Sequence, residues 1–129
     1  MITHPTIFTV VDNEEIGSAM AYLLRSNDYP IVEAPSTDIA VAKAPNENFD
    51  LILLDCDMPL PEALAAARRI RARAAKGDLP IVVVDTDLAS GPQGSKLGTE
   101  PNEYVVRVIE LDELINVLSY ILRSQSDSA

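Results

Sequence analysis

At 129 residues, 47% hydrophobic and 23% charged, the chain is sized for one domain with a real core and is no disordered polymer. One Cys and one His exclude a disulfide framework and Cys- or His-rich metal centres, and no apolar run reaches the roughly 18 residues of a membrane span. Ten basic against 20 acidic residues give a net charge of -10, which repels phosphate backbones and argues against direct nucleic-acid binding.

The chain opens with TIFTVV at 6–11, a short β-branched strand between Pro5 and Asp12. Ile16, Met20, Leu23 and Leu24 then recur at helical spacing, predicting a helix over 14–26. A second strand is expected at 29–33. Ser36 or Thr37 can cap a helix over 37–44 that Pro45 stops. LILL at 51–54 is apolar at every position, the mark of a strand covered on both faces of a parallel sheet. Pro61 can open a helix over 61–75, with Gly77 just past its end. Its basic cluster, Arg68, Arg69, Arg71, Arg73 and Lys76, reads as a solvated outer face. PIVVV at 80–84 and EYVVRV at 103–108 give two more strands, and 112–123 a last helix with Leu114, Ile115, Leu118, Ile121 and Leu122 on a broad apolar face. The polar tail 125–129 is expected to fray.

One stretch breaks the alternation. Residues 88–102 hold three Gly and two Pro where a helix would be due. Gly costs roughly 1 kcal/mol and Pro about 3 inside a helix, so a short or irregular segment is expected.

Five strands alternating with helices define an α/β fold with a parallel sheet and right-handed crossovers. Such sheets carry their sites at the carboxyl ends of the strands. Three strands here end in acids, Asp12, Asp55 and Asp85, and a fourth ends near Arg107. Converging carboxylates repel, so a divalent cation, a basic side chain or a shared proton must hold them; Mg2+ prefers such oxygen ligands, and Arg107 is the basic residue placed to reach in. Otherwise each acid is a turn former satisfied by a helix N-terminus. Cys56 is expected to pack in the core rather than act as a redox sensor.

LILLDCDMP at 51–59, an apolar strand followed by Asp, two residues and Met-Pro, resembles the phosphorylation strand of response-regulator receiver domains of two-component signalling. TVVDNE at 9–14, PIVVVD at 80–85 and EYVVR at 103–107 extend the resemblance over residues 6–124, a single receiver-like domain. The resemblance implies a doubly wound (βα)5 fold with strand order 2-1-3-4-5, flavodoxin-like. It implies that Asp55 is the phosphoacceptor. Mg2+ would be held by Asp12, by the residue after it, Asn13, by Asp55 and by the backbone carbonyl of Asp57. Tyr104 matches the aromatic that switches on activation.

Three positions depart from the family pattern. Asn13 stands where a second acid is usual, Asp85 where Thr or Ser is usual, and Arg107-Val108 where Lys-Pro is usual. Asn13 keeps an oxygen ligand but removes a negative charge. Asp85 puts a charge near an incoming phosphoryl group; at about 4 Å such repulsion is roughly 1 kcal/mol in water and about 4 at an effective dielectric near 20. An Arg fork pairs bidentately with a carboxylate, so Arg107 is expected to pair with Asp85 or Asp55 where phosphate would be held.

The function expected is that of an atypical receiver, not an enzyme, acting by contact with a histidine kinase or a downstream effector, with Asp55 phosphorylation and Mg2+ binding weak or absent. The alternatives are a working receiver phosphorylated on Asp55 by a histidine kinase and, more remotely, a small Mg2+-dependent phosphohydrolase with Asp55 as nucleophile. A cytoplasmic location, no direct nucleic-acid or membrane binding, and a face at 88–123 for a partner or second copy complete the expectation. On that face, charge changes at Glu103 or Lys96 should affect partner binding more than changes on the Arg68–Arg73 helix. The chain has no room for a DNA-binding output domain, so it is read as a stand-alone receiver or a fragment.

Overall fold

The computed structural model describes residues 4–84, 94–95, 102–107 and 111–127. Five strands, β1 (Ile7–Val11), β2 (Ile31–Ala34), β3 (Leu51–Asp55), β4 (Ile81–Val84) and β6 (Glu103–Val106), run parallel. Four helices, α1 (Glu14–Ser26), α2 (Thr37–Lys43), α3 (Leu60–Arg73) and α4 (Leu111–Asp127), stand with them. The strand order is β2-β1-β3-β4-β6, with a two-residue strand β5 (Gly94–Ser95) antiparallel on the outer edge of β6. The five parallel strands thus take the expected 2-1-3-4-5 order. The short strand β5, which pairs with Val105 and Val106, is an addition that the Gly/Pro-rich composition of 88–102 does not announce.

Alternation along fully apolar strands supplies two cores. Ile7, Val11, Leu51, Leu53, Val82, Val84 and Val106 pack against Met20 and Leu24 of α1 and Leu114, Leu118 and Ile121 of α4. Phe8, Val10, Ile52, Leu54, Ile81, Val83 and Val105 pack against Ala40 of α2 and against Ala63, Leu64, Ala67 and Ile70 of α3. A sheet sandwiched this way leaves only its two ends open to solvent chemistry.

Local chemistry sets the helix ends. Ser36 caps α2, accepting from the Ile39 N–H at 3.2 Å. The end of α1 is a left-handed Asp28, φ 67°, with Asp28 N–H donating to Arg25 O and Tyr29 N–H to Leu24 O, each at 3.0 Å. Gly is the usual residue there, and Asp is tolerated. The turn aims Tyr29 at α4, where its hydroxyl meets Ser119 Oγ at 2.9 Å.

The basic face of α3 is not simply solvated. Arg68 and Arg71 lie three residues apart, hence on one side of the helix, and both turn inward onto Glu103 at the start of β6. Arg68 Nε and Nη2 donate to Glu103 Oε2 and Oε1, each at 2.7 Å, and Arg71 Nη2 donates to Oε2 at 3.3 Å. The Glu103 side chain is 0% exposed, against 37% for Arg68 and 15% for Arg71. Burying a carboxylate demands a partner, and the two guanidiniums supply it. They hold its carboxyl below the usual glutamate range, the Arg68 hydrogen bonds outweighing the opposing effect of burial. Glu103 is therefore an internal brace between α3 and β6, not a surface charge on a docking face. Lys96 lies outside the described residues.

Candidate functional site

Val11 of β1 pairs with Asp55 of β3, so the two strands end side by side. Asp12 follows β1 directly, and Asp55 is the last residue of β3, half-buried at the same edge. Their carboxyls interact. Asp55 is pushed up from the ordinary aspartate value, first by burial and then by the charge of Asp12. A buried carboxylate beside a like charge is a site that a cation would relieve.

Asp12 has a second partner. Its Oδ2 accepts from the backbone N–H of Asp57 at 2.9 Å, tying the end of β1 to the β3–α3 loop. Asp57 itself is exposed. Within that loop Met58 N–H donates to Cys56 O at 2.9 Å. Pro59 and Pro61 then open α3, where missing N–H groups are harmless.

Asn13 is the N-cap of α1. Its Oδ1 accepts from the Ile16 N–H at 3.0 Å, and Glu14 and Glu15 follow in the first turn. Asn suits this position because its side-chain oxygen satisfies a donor that the helix leaves open.

Cys56 is buried, with its Sγ donating to Val10 O at 3.6 Å. Burial, then the charges of Asp12 and Asp55, push its thiol up to about 11, partly offset by a backbone hydrogen bond at Asp12. It is a packing residue, as its place beside a strand end suggests. Tyr104 sits half-buried on the α4 face of β6, packed on the core there. Arg107, half-buried, follows β6 at the edge that carries Asp12 and Asp55. Asp85 lies outside the described residues.

The oxygen donors grouped at this edge are the carboxylates of Asp12 and Asp55. That donor type suits Mg2+, which keeps several waters and takes few protein carboxylates. Among the described residues, no cluster of three or more His, Cys, Asp or Glu side chains forms a metal cage. The sequence grouped Asp12, Asp55 and Asp85 with Arg107 at the strand ends; the structure sets Asp12, Asp55 and Arg107 at one sheet edge, with Asp85 outside the described residues and Asn13 at the start of α1. It missed the Asp12–Asp57 contact, which joins a side chain to a backbone 45 residues away and leaves no pattern in a sequence. It also missed Glu103, although an acid opening an apolar strand, with Arg at i and i+3 on a nearby helix, was a usable signal.

A model of the response regulator receiver domain matches residues 7–119, and the chain belongs to that family. It is similar to the transcriptional regulatory protein ResD of Bacillus subtilis, 32% identical over 130 residues, covering 98% of this chain and 52% of that protein. It is also similar to the CAI-1 autoinducer sensor kinase/phosphatase CqsS of Vibrio cholerae, 28% identical over 111 residues, covering 85% of this chain and 16% of that protein. The chain thus spans about half the length of ResD and a smaller part of the kinase. Among solved structures, the receiver domain of a sensor histidine kinase from Pseudomonas aeruginosa PAO1, with a magnesium ion coordinated in its active-site cleft, superposes with a TM-score of 0.68. It is 26% identical, over 92% of this chain and 97% of that one. The chemotaxis protein CheY4 of Vibrio cholerae shares the fold at a TM-score of 0.70 and 21% identity, over 92% of this chain and 99% of that one. The protein is therefore a receiver domain of two-component signalling. No described helix is long and apolar enough to cross a membrane.

Proposed function

We propose that this receiver is atypical: it signals by contact with protein partners, a histidine kinase or a downstream effector, and phosphorylation of Asp55 is weak or absent. The observation that carries the reading is Asn13. The family's second acid is replaced by an uncharged side chain whose oxygen already caps α1 at 3.0 Å. Mg2+ would then be held by Asp12, Asp55, the Asp57 carbonyl and the remaining capacity of the Asn13 oxygen, with one negative charge fewer. A loss of about tenfold in affinity, ~1.4 kcal/mol, is the expected size. When bound, the ion supplies positive charge against the phosphoryl oxygens. Asp55 would be the acceptor carboxylate, Asp85 a repelling charge beside it, and Arg107 the basic group that pairs with Asp85 or Asp55. Tyr104 is the candidate switch, and the 88–123 face the candidate contact for a partner or a second copy. A cytoplasmic site of action follows from kinase or effector contact.

Incubation with acetyl phosphate and Mg2+, with the hydroxylamine-labile phosphate on the protein counted, tests this. Little or slow modification is expected. Rapid, stoichiometric modification at Asp55 points instead to an ordinary receiver served by a histidine kinase, and turnover without a stable acyl phosphate to a phosphohydrolase.

A further inference from the structure

We infer that the outer edge of β2 is a pairing edge for a second copy of this chain, and that Lys43 holds it shut. Among the described strands β2 ends the sheet on its side, with β1 as its neighbour. An edge strand offers its outward N–H and C=O groups to any strand that reaches it. The ladder tells which groups those are. Ile7 pairs with Ile31 and Thr9 with Glu33, and Ile7 N–H donates to Pro30 O at 2.9 Å. In a parallel pair the bonds run to the residues flanking the partner. Pro30, Val32 and Ala34 therefore turn their backbone groups to β1, while Ile31 and Glu33 turn theirs outward.

These outward residues match themselves. With a two-fold axis at Val32, β2 lies antiparallel to β2 of a second copy, and Ile31 faces Glu33 of that copy. Each facing pair then exchanges both of its N–H···O bonds. Glu33 never opposes Glu33, so like charges do not meet across the seam. Pro30 and Pro35 bracket the strand and confine pairing to the residues between them. Half of the new bonds need Glu33 O, and that oxygen is filled. Lys43, the last residue of α2, donates to it from Nζ at 2.8 Å. Its ammonium also sets a cation at the edge, which a second copy would meet with its own. A lysine placed on a strand edge is a common means of preventing such pairing.

The test compares the full chain as wild type, Lys43→Met and Lys43→Arg. Met keeps the length of the side chain and loses donor and charge; Arg keeps both. Sedimentation over a concentration series reads self-association, and amide exchange of 15N-labelled protein at low and high concentration reads where it occurs. Lys43→Met is expected to self-associate at least about tenfold more tightly than wild type, the worth of the hydrogen bonds it frees, with Lys43→Arg near wild type. In Lys43→Met the Ile31 and Glu33 amides are expected to gain protection as concentration rises. Association of Lys43→Met no tighter than wild type, or Lys43→Arg as tight as Lys43→Met, overturns the inference. Association that leaves Ile31 and Glu33 exchange unchanged overturns it as well, since the contact then lies on another face such as 88–123. Should Lys43→Met not fold, Lys43→Ala is read against the same outcomes.

Discussion

Glu103 offers the sharpest test of how the fold is held. Its carboxylate is 0% exposed and meets Arg68 at 2.7 Å twice and Arg71 at 3.3 Å. Removing one partner of a buried ion pair costs about 3–5 kcal/mol, because the other charge is stranded. Arg68, with 37% of its side chain exposed, can turn to water, whereas Arg71 at 15% cannot do so without moving. Glu103→Ala should therefore fall at the lower end, about 3 kcal/mol, and Glu103→Gln, which keeps an acceptor, at about 2. For a domain of this size that is roughly 10 °C and 7 °C in Tm. The pH dependence has a definite sign. Glu103 titrates below its ordinary value in the fold, so its contribution is complete above the unfolded glutamate pKa of about 4.3 and is lost as pH falls through its folded value. Urea unfolding of wild type and Glu103→Gln at pH 7 and again near pH 3 reads both quantities. A gap under about 0.5 kcal/mol at pH 7, or a gap that does not shrink in acid, would refute the brace.

At the site, Asn13→Ala should cost about 1 kcal/mol in urea unfolding through loss of the α1 cap, while Asn13→Asp should keep the cap and tighten Mg2+ binding about tenfold by calorimetry. Asp55→Asn should raise Tm at pH 7. Asp55 titrates above its ordinary value, so its contribution is fully present below the unfolded aspartate pKa of about 3.9 and is lost as pH rises through the folded value; the advantage of Asn should vanish in acid. Cys56, its thiol pushed up to about 11, should react with a thiol reagent at pH 7 only on the timescale of unfolding.

The parallel sheet was legible because its strands are apolar at every position: LILL at 51–54 and IVVV at 81–84 admit no solvent face, and the structure gives each a helix layer on both sides. The α1 and α3 spans were legible from the helical spacing of Ile16, Met20, Leu23 and Leu24 and from Pro61, where periodicity and proline chemistry are local. The roles of the ends were not. The sequence read Asn13 only as a weakened ligand; its 3.0 Å bond from Ile16 N–H shows that the same oxygen caps α1. The arginines of α3 read as a solvated face because helical spacing tells which side they share and not what that side meets. Their partner lies more than 30 residues away, at the mouth of another strand. Asp85 and most of 88–102 lie outside the described residues.

The most direct measurement is acyl-phosphate formation on the unmodified chain with acetyl phosphate and Mg2+, beside Asp55→Asn and the triple variant Asn13→Asp, Asp85→Thr, Arg107→Lys. Little or slow hydroxylamine-labile phosphate is expected on the unmodified chain, none on Asp55→Asn, and a gain in the triple variant that restores the charge pattern of the family. Rapid, stoichiometric phosphorylation of the unmodified chain, abolished in Asp55→Asn, would contradict that expectation.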